Sequence, residues 1–324
     1  MNTLAEIQRT LHPELDEMNA LIRRYLSTPT PMMNEVVTHY LQTKGKQIRP
    51  LLVMLSAKMY GGVNDHTLHA AAALEMLHNA SLIHDDIVDE TKLRRGTPTL
   101  NAIWGNHVAV LTGDFFVSNA LAAGIQTGRI EIIRALSDLG TELSLGEIDQ
   151  ICNARAHLFR EEDYLAMIKR KTASLFMNCV RIGAQTAGAP DADIQPMVEY
   201  AELLGLCFQI KDDIFDYFPN PQIGKPTGND LREDKVTLPL LYALANAPAD
   251  KAMPMRELLI RGELDDTEIQ TLLDFAIANG GIDYAFERMR HMQTEADKLI
   301  APFPASPWKE AFRNIFEFII SRDK

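Results

Sequence analysis

Residues 82–90, LIHDDIVDE, place three carboxylates inside an otherwise apolar run. Charges among residues of this kind cost free energy unless something pairs them. Asp85 and Asp89 are four residues apart, so on a helix they would share one face, one turn apart, and repel each other. A divalent cation would relieve that repulsion. The stretch with Asp85, Asp86 and Asp89 therefore predicts a helix that carries either a solvated acidic face or a metal site.

The same pattern returns in residues 208–218, FQIKDDIFDYF, where Asp212, Asp213 and Asp216 again lie among apolar residues. The two copies are far apart in the chain, so we expect them on different helices. Mg²⁺ takes hard oxygen ligands and is often held by one or two carboxylates together with substrate phosphate. Two copies favour the metal site over the solvated face, with the motifs facing each other across a cavity.

Basic residues accompany both motifs. A cluster of Mg²⁺ ions in an acidic protein indicates a polyphosphate ligand, which also needs Arg, with its planar fork of donors, and Lys, with its point charge. Taken singly, each basic residue is more often a surface charge, but their placement beside the Asp motifs favours phosphate binding. These residues are Lys46, Arg49, Arg94, Arg95, Lys171, Lys225 and Lys235.

The hydrophobic pattern predicts an all-α protein. Apolar residues recur at a spacing near 3.6 in long segments, alternating strand patterns are absent, and turn signals separate the segments. There is no flexible linker or internal repeat, so we expect one domain over residues 1–324, a helical bundle with a central active-site cavity. Helices are predicted near residues 3–27, 32–44, 48–60, 65–92, 106–127, 129–153, 161–188, 193–218, 236–248, 251–262, 266–279, 281–301 and 306–321.

Composition excludes several classes of protein. The net charge of −12 makes nucleic acid a poor partner. Three cysteines without a CxxC pair argue against a disulfide framework or a zinc site and suit a reducing cytosol. No apolar stretch resembles a signal peptide, and the most apolar segment is interrupted by Asp114, so we expect a cytoplasmic protein without a membrane span.

The sequence resembles a known family, the trans-isoprenyl diphosphate synthases, which are head-to-tail prenyltransferases of the polyprenyl synthetase type. The resemblance covers about residues 44–239 and extends more loosely beyond them. It rests on ordered motifs: GKQIRP, LHNASLIHDDIVDETKLRRG, GDFF, GEIDQ, KTASL, FQIKDDIFD, GKPTGNDL and KVTLP.

The resemblance implies a role for each matching residue. The residues that match an isopentenyl diphosphate site are Lys46, Arg49, His78 and Arg95. Those that match contacts to the allylic diphosphate and its developing cation are Arg94, Lys171, Thr172 and Gln209, with Lys225 and Lys235 as further diphosphate ligands. Those that match Mg²⁺ ligands are Asp85, Asp89, Asp212 and Asp216, whereas Asp86 and Asp213 match residues that support these ligands. His84 and His107 have no assigned role, and a structural role is favoured for His84.

The implied reaction uses three Mg²⁺ ions bridged by the substrate diphosphate. The C–O bond of the allylic diphosphate breaks, the double bond of isopentenyl diphosphate attacks the allylic cation, and a proton is lost. The residues implied in catalysis are Asp85, Asp89, Arg94, Lys171 and Asp212. The resemblance also implies a homodimer, and a product that reaches the membrane in quinone biosynthesis.

Product length is predicted from the helical turn before Asp85. Residues Ala80 and Ser81 lie there, where short-chain members of the family often carry a bulky aromatic residue that blocks the growing tail. We therefore expect a long-chain synthase, near octaprenyl. The alternative is that the small residues only pack helices and that another residue stops the tail, which would make this a farnesyl or geranylgeranyl diphosphate synthase.

Two other functions fit parts of the pattern. A partner-dependent subunit of a heteromeric synthase would be expected to lose Asp or Arg residues of the motifs, and a class I terpene cyclase would lack the isopentenyl site. This chain keeps both Asp motifs together with Lys46 and Arg49, which favours the chain-elongating enzyme. One departure is Asp234, because the family often has Gly before the residue that matches Lys235.

Overall fold

The structure is a computed structural model that describes residues 3–42, 45–219 and 227–322. Its helices are, in chain order, α1 Leu4–Thr10, α2 His12–Tyr25, α3 Pro31–Gln42, α4 Ile48–Met59, α5 Asp65–Val88, α6 Leu100–Gln126, α7 Ile130–Arg155, α8 Glu161–Ile168, α9 Ser174–Thr186, α10 Asp191–Phe215, α11 Asn229–Arg232, α12 Leu238–Asn246, α13 Ala249–Arg261, α14 Asp266–Ala278, α15 Gly281–Ile300 and α16 Pro307–Ser321.

Two short features interrupt the helices. A π-helical turn, Lys169–Ala173, joins α8 to α9, and a two-stranded antiparallel hairpin, β1 Leu93–Arg94 and β2 Thr97–Pro98, joins α5 to α6. The all-α prediction is therefore confirmed, and the hairpin is the small exception to the expected absence of strands. Both interruptions carry residues of the predicted site.

Several predicted boundaries were wrong, each for a local reason. The first predicted helix breaks at Leu11, and the predicted helix 65–92 ends at Val88. The helix predicted to begin at residue 106 begins at Leu100 in the structure. Gly105 within it has the non-helical angles φ 81° and ψ 164°, so a kink separates the first turn of α6 from the rest of the helix. Glycine permits this conformation because it has no Cβ.

Contacts between Cα atoms divide the chain into two compact units. Unit 1 consists of Met1–Thr141, Leu175–Ala201 and Leu299–Ile315, and unit 2 consists of Glu142–Ser174, Glu202–Lys298 and Phe316–Lys324. The first Asp motif belongs to unit 1 and the second to unit 2. The expectation of one domain over residues 1–324 stays a prediction.

In unit 1, small residues allow α5 and α6 to pack closely. Residues 70–73 of α5 are four buried alanines, and α6 buries Ala109 and Ala120. A Cβ on Gly113 of α6 would collide with the imidazole of His84, which lies one residue before the first Asp motif. Side chains of this size let helix backbones approach, so α5 is held along its length.

Among the described residues, α6 is long and apolar enough to cross a membrane by length and composition alone, with 39% of its most apolar stretch buried. A core helix passes the same test. The prediction that no segment spans a membrane stays a prediction.

Unit 2 has its own apolar core. The side chains that form it come from the end of the second Asp motif and from α11, α12 and α14: Tyr217, Leu231, Leu240, Ala243, Leu244, Ile269, Leu272, Leu273 and Ala276. This core anchors the segment that follows the second Asp motif, because Tyr217 is one residue beyond Asp216.

The start of α5 generates a stability prediction. Asn64 caps the helix, since its Oδ1 accepts from Thr67 N at 3.0 Å while its Nδ2 donates to the carbonyl of Thr186 at 2.9 Å. We expect Asn64→Ala to lower the free energy of unfolding by about 1–2 kcal/mol, measured by urea denaturation. Asn64→Asp keeps the cap acceptor and should lose less. Equal stability of the wild type and Asn64→Ala would contradict this account.

Candidate active site

Both Asp motifs lie at the carboxyl ends of helices. Helix α5 ends at Val88 and Asp89 is its C-cap residue, while α10 ends at Phe215, directly before Asp216. The last carbonyl groups of a helix carry partial negative charge, so this end favours cations and disfavours carboxylates. Each motif therefore adds negative charge where the backbone is already negative, which makes a bound cation more favourable.

Within the first motif, Asp86 has a different role from its neighbours. Its buried carboxylate accepts from Arg94 Nε at 2.9 and 3.1 Å and from Arg94 Nη2 at 2.7 Å. Asp85 and Asp89 are only half-buried, and the Asp89 N–H donates to the Asp85 carbonyl at 2.8 Å, which keeps the two on one helical turn. Asp86 thus orients Arg94, whereas Asp85 and Asp89 are partly accessible to solvent.

The hairpin after the first motif positions two arginines. Arg94 lies on β1, and the two-residue loop consists of Arg95 and Gly96, both with positive φ of 53° and 76°. Positive φ at both positions is the pattern of a type I′ turn, which Gly and Asn favour and Arg does not. Strained conformations of this kind cluster at functional sites.

The guanidinium of Arg95 packs on the backbone of Gly45. A Cβ at Gly45 would lie 2.6 Å from Arg95 Nη1, so a larger residue there would displace the arginine. Gly45 opens the GKQIRP motif, and its lack of a side chain explains why that motif begins with glycine.

Three arginines of the predicted site act electrostatically on the buried imidazole of His78. Burial lowers the pKa of His78 well below its ordinary value, and the positive charges of Arg49, Arg95 and Arg94 lower it further. Glu75, one turn earlier on α5, has its pKa raised by burial while Arg49 and Arg95 oppose that rise. Three of the four residues predicted for isopentenyl diphosphate thus lie near one another in unit 1. The fourth, Lys46, is exposed just before α4.

The second motif is built into a hydrogen-bonded chain. Buried Asp213 accepts from the Tyr164 hydroxyl at 2.6 Å and from Gln209 Nε2 at 2.8 Å. The Oε1 of Gln209 in turn accepts from the Thr172 hydroxyl at 2.6 Å. Burial raises the pKa of Asp213 to about 6, while its two hydrogen bonds act in the opposite direction. Thr172 and Gln209 are therefore fixed relative to the second Asp motif, whereas their contact with an allylic diphosphate stays a prediction.

Asp212 and Asp216 have partners that sequence reasoning missed. Arg322 donates to Asp212 Oδ1 at 2.5 Å and to the carbonyl of Phe208 at 3.1 Å, with its guanidinium over the Phe208 ring. Asp216 accepts from the backbone N–H groups of Asn229 and Asp230, each at 2.9 Å. Arg322 lies close to the end of the chain and outside every motif, so no sequence signal marked it.

Lys171 and Thr172 lie on the π-helical turn Lys169–Ala173. Such turns occur mostly as single insertions in α-helices and frequently at functional sites. The Lys171 ammonium contacts Glu147 Oε2 at 2.5 Å and Gln150 Oε1 at 3.0 Å, both in the GEIDQ motif on α7. The sequence predicted Lys171 as a diphosphate ligand but did not assign a role to Glu147.

The remaining predicted lysines lie after the second motif. Lys235 pairs with Glu233 at 2.5 Å, and the preceding Asp234 has a φ of 55°, in the left-handed region. This conformation explains the Gly that the resembling family often has here, and Asp is one of the few other residues that tolerate it. Lys225 lies outside the described residues.

A cavity of about 400 Å³ in unit 2 brings part of this set together. Its lining includes three residues of the predicted site, Lys171, Gln209 and Lys235, together with the supporting residue Asp213, and it continues over apolar side chains such as Phe159 and Leu241. The lining thus combines cationic, carboxylate and apolar side chains.

The donor set fits Mg²⁺ better than a metal held by protein alone. Within residues 3–42, 45–219 and 227–322, no group of three or more His, Cys, Asp or Glu side chains is close enough to enclose a metal ion. Pairs of carboxylates, each able to supply one or two oxygens, match the way Mg²⁺ shares its coordination with substrate phosphates and water.

The fold and these motifs define an all-α prenyltransferase. The profile of the polyprenyl synthetase family matches residues 30–276, and the chain belongs to that family. It is 33% identical over 322 residues to octaprenyl diphosphate synthase of Haemophilus influenzae, covering 99% of this chain and 98% of the relative.

Solved structures support the same assignment. A decaprenyl diphosphate synthase from Rhodobacter capsulatus superposes with a TM-score of 0.93 at 30% identity, covering 99% of each chain. A geranylgeranyl pyrophosphate synthase from Bacteroides thetaiotaomicron is 37% identical with a TM-score of 0.86, covering 99% of this chain and 100% of that one. The similarity thus extends to both long-chain and short-chain synthases.

His78 generates a pH prediction. Its pKa is well below the ordinary value of 6.5 in the folded protein, so the unfolded chain binds more protons below that pH. This contribution to stability is complete above the unfolded pKa and is lost as the pH falls below it. Between about pH 7 and about pH 5.5 the loss is about 1 kcal/mol of unfolding free energy.

Urea denaturation at the two pH values measures this loss. We expect His78→Gln to reduce the pH-dependent difference by about 1 kcal/mol, since Gln does not titrate. The account of His78 is wrong if His78→Gln shows the same pH-dependent loss as the wild type.

Proposed function

We propose that this protein is an Mg²⁺-dependent head-to-tail prenyltransferase that condenses isopentenyl diphosphate with an allylic diphosphate to give a trans-polyprenyl diphosphate. One observation carries the proposal: two pairs of carboxylates, Asp85 with Asp89 and Asp212 with Asp216, stand at helix carboxyl ends beside Arg and Lys residues. Carboxylates so placed suit cations, and the neighbouring basic residues suit phosphate.

The residues that would hold Mg²⁺, with three ions proposed in all, are Asp85 and Asp89 in the first motif and Asp212 and Asp216 in the second. Bound there, Mg²⁺ would supply positive charge beside the diphosphate and stabilise the charge that develops on the leaving group. Asp212 and Asp216 already have one set of hydrogen bonds from Arg322 and from backbone amides, and a carboxylate keeps further lone pairs beyond those contacts.

The allylic diphosphate would be held by the protein's own donors. Arg94, oriented by Asp86, offers its remaining guanidinium N–H groups, and Lys171 offers its ammonium from the π-helical turn. These donors strengthen as negative charge grows on the departing diphosphate, which is the form of stabilisation that lowers a barrier. Thr172 and Gln209, fixed by Asp213, would line the path of the developing allylic cation, with Lys225 and Lys235 as further diphosphate ligands.

Isopentenyl diphosphate would bind at the cluster of Arg49, His78 and Arg95, with Lys46 at its exposed edge. Because its pKa is depressed, His78 is neutral at physiological pH, so it presents one donor and one acceptor rather than a third positive charge. The arginines would supply the positive charge that binds the diphosphate, and the hydrogen bonds of neutral His78 would orient it.

A long-chain product near octaprenyl is supported by the small residues before Asp85 and by the octaprenyl and decaprenyl relatives. Short-chain synthesis remains the second candidate, because the geranylgeranyl pyrophosphate synthase is 37% identical. Ala80 and Ser81 differ in how much room they leave for a growing prenyl tail. Ala80 is completely buried, so no water-sized space adjoins it in this state, whereas Ser81 is half-buried.

A homodimer is supported by exposed apolar side chains on α6. Leu111, Leu121 and Ile125 lie within an arc of about 80° on the helix, so they share one side of it, and Leu111 and Ile125 are 61% and 58% exposed. Residues of this size on a free surface indicate an interface. We place the enzyme in the cytoplasm, with no nucleic-acid partner or membrane span and with a product that passes to the membrane for quinone biosynthesis.

The first test is a product assay with matched variants. Purified protein, Mg²⁺, labelled isopentenyl diphosphate and farnesyl diphosphate should give a ladder of longer polyprenyl products. Asp85→Ala and Asp212→Asn should lower turnover by at least about 100-fold, since each removes a metal ligand. Asn is chosen at position 212 because it keeps an acceptor for the buried Arg322.

The control is Asp138→Ala on the exposed face of α7, which should retain full activity. Wild-type turnover in both Asp85→Ala and Asp212→Asn would contradict the proposal that these residues are metal ligands. Absence of incorporation by the wild type, restored by a second protein from the same source, would favour the partner-dependent subunit.

A substitution at Ser81 tests the predicted product length. Ser81→Phe places an aromatic ring one turn before Asp85 at a half-buried position, and we expect it to shorten the product by several isoprene units, measured by sizing the labelled chains. Ala80→Phe is a poorer probe, because adding this volume at a fully buried site costs about 1–3 kcal/mol or more in stability. An unchanged product length in active Ser81→Phe would mean that the tail runs elsewhere.

A further inference from the structure

The ammonium group of Lys171 is held on two sides by α7. Glu147 Oε2 lies 2.5 Å from Lys171 Nζ, and the side chain of Gln150 accepts from the same nitrogen at 3.0 Å. Gln150 also donates to Glu147 Oε1 at 3.0 Å, so the three side chains form a closed set. Glu147 and Lys171 are 16% and 23% exposed, which limits the freedom of both.

A glycine allows α7 to approach the π-helical turn this closely. A Cβ at Gly146 would lie 2.6 Å from Lys171 N and 2.9 Å from Lys171 Cα, both backbone atoms that cannot rotate away. Arg170 adds a second link, because its Nη1 lies 2.7 Å from Asp149 Oδ2. Helix α7 therefore contacts both the backbone and the side chains of the turn.

A carboxylate beside a phosphate-binding lysine needs an explanation, because its charge opposes an anionic ligand. A lysine ammonium has three N–H donors and a flexible stem, so an isolated lysine has no fixed direction. Here Glu147 and Gln150 occupy two of the three donors. The direction of the third donor is then set by α7 rather than by the ligand.

We propose that Glu147 is a positioning residue that acts through Lys171: together with Gln150 and the close approach at Gly146, it aims the third ammonium N–H at the departing diphosphate. This inference rests on the proposed function, because it takes Lys171 as a diphosphate ligand. Glu147 itself contacts Lys171 and Gln150 and need not touch the substrate.

The main experiment compares Glu147→Ala with Glu147→Gln. We expect Glu147→Ala to lower kcat by about 10–100-fold while the KM for isopentenyl diphosphate stays within about 2-fold, because that substrate binds at other residues. Glu147→Gln keeps an acceptor of the same length and should recover kcat to within about 3-fold of the wild type. Thermal melting of all variants establishes that each one is folded.

A second pair of variants tests the backbone contact. Gly146→Ala should lower kcat by a similar factor, because its Cβ would push the Lys171 backbone. Gly140→Ala on the same helix is the control, since a Cβ there meets nothing within 4 Å, and it should match the wild type. Wild-type kcat in Gly146→Ala would contradict the proposed clamp.

Calorimetric titration with inorganic diphosphate and Mg²⁺ gives a readout without turnover. We expect Glu147→Ala to weaken diphosphate binding by about 3-fold or more and Glu147→Gln to restore it. If Glu147 only opposed the ligand's charge, both variants would instead bind diphosphate more tightly, which would overturn the inference.

The two hypotheses fail in different ways. A wild type that elongates prenyl chains, together with an equally active Glu147→Ala, would overturn the positioning role and leave the proposed function intact. A wild type that neither elongates chains nor binds diphosphate would overturn the proposed function, and the positioning role with it. Equal loss of kcat in Glu147→Ala and Glu147→Gln would also count against positioning, since the conservative variant should rescue.

Discussion

The central constraint on this structure is the repulsion among carboxylates placed at the carboxyl ends of α5 and α10. Backbone carbonyls already make these ends negative, so each added Asp raises the free energy of the folded protein unless it is compensated. The protein compensates part of the charge itself: Arg94 pairs with Asp86, and Arg322 pairs with Asp212. Asp85 and Asp89 are partly exposed, and a cation bound there, as we propose, would offset more of the negative charge.

The same constraint explains why the supporting residues are buried and the proposed ligands are not. Asp86 and Asp213 are enclosed by hydrogen-bond donors, so they can hold Arg94 and Gln209 in fixed directions. A buried group with all its bonds made is rigid, and rigidity in the supporting residues is what positions the neighbouring donors. The second Asp of each motif, Asp86 or Asp213, therefore orders neighbouring side chains, and the first and last Asp of each motif are the metal ligands that we propose.

Much of this organisation could be predicted from the sequence, and the exceptions have physical reasons. The helices and the two Asp motifs follow from local spacing, which a single sequence displays. Arg322 could not be predicted, because its contact with Asp212 joins residues far apart in the chain. The π-helical turn was also missed, because it shifts the apolar pattern of the surrounding α-helix by only one residue. The close approach of α7 to this turn is visible in the sequence only as a glycine, Gly146.

Product length illustrates the limit of local reasoning most clearly. Ala80 and Ser81 are both small in the sequence, but their burial differs: of the two, only Ser81 has accessible surface. A small residue leaves room for a growing chain only where its neighbours do not already fill that room, and Ala80 is packed on all sides. Under the proposed function, the packing around α5 would therefore set the room for the growing chain, and relatives in this one family are named for both short and long products.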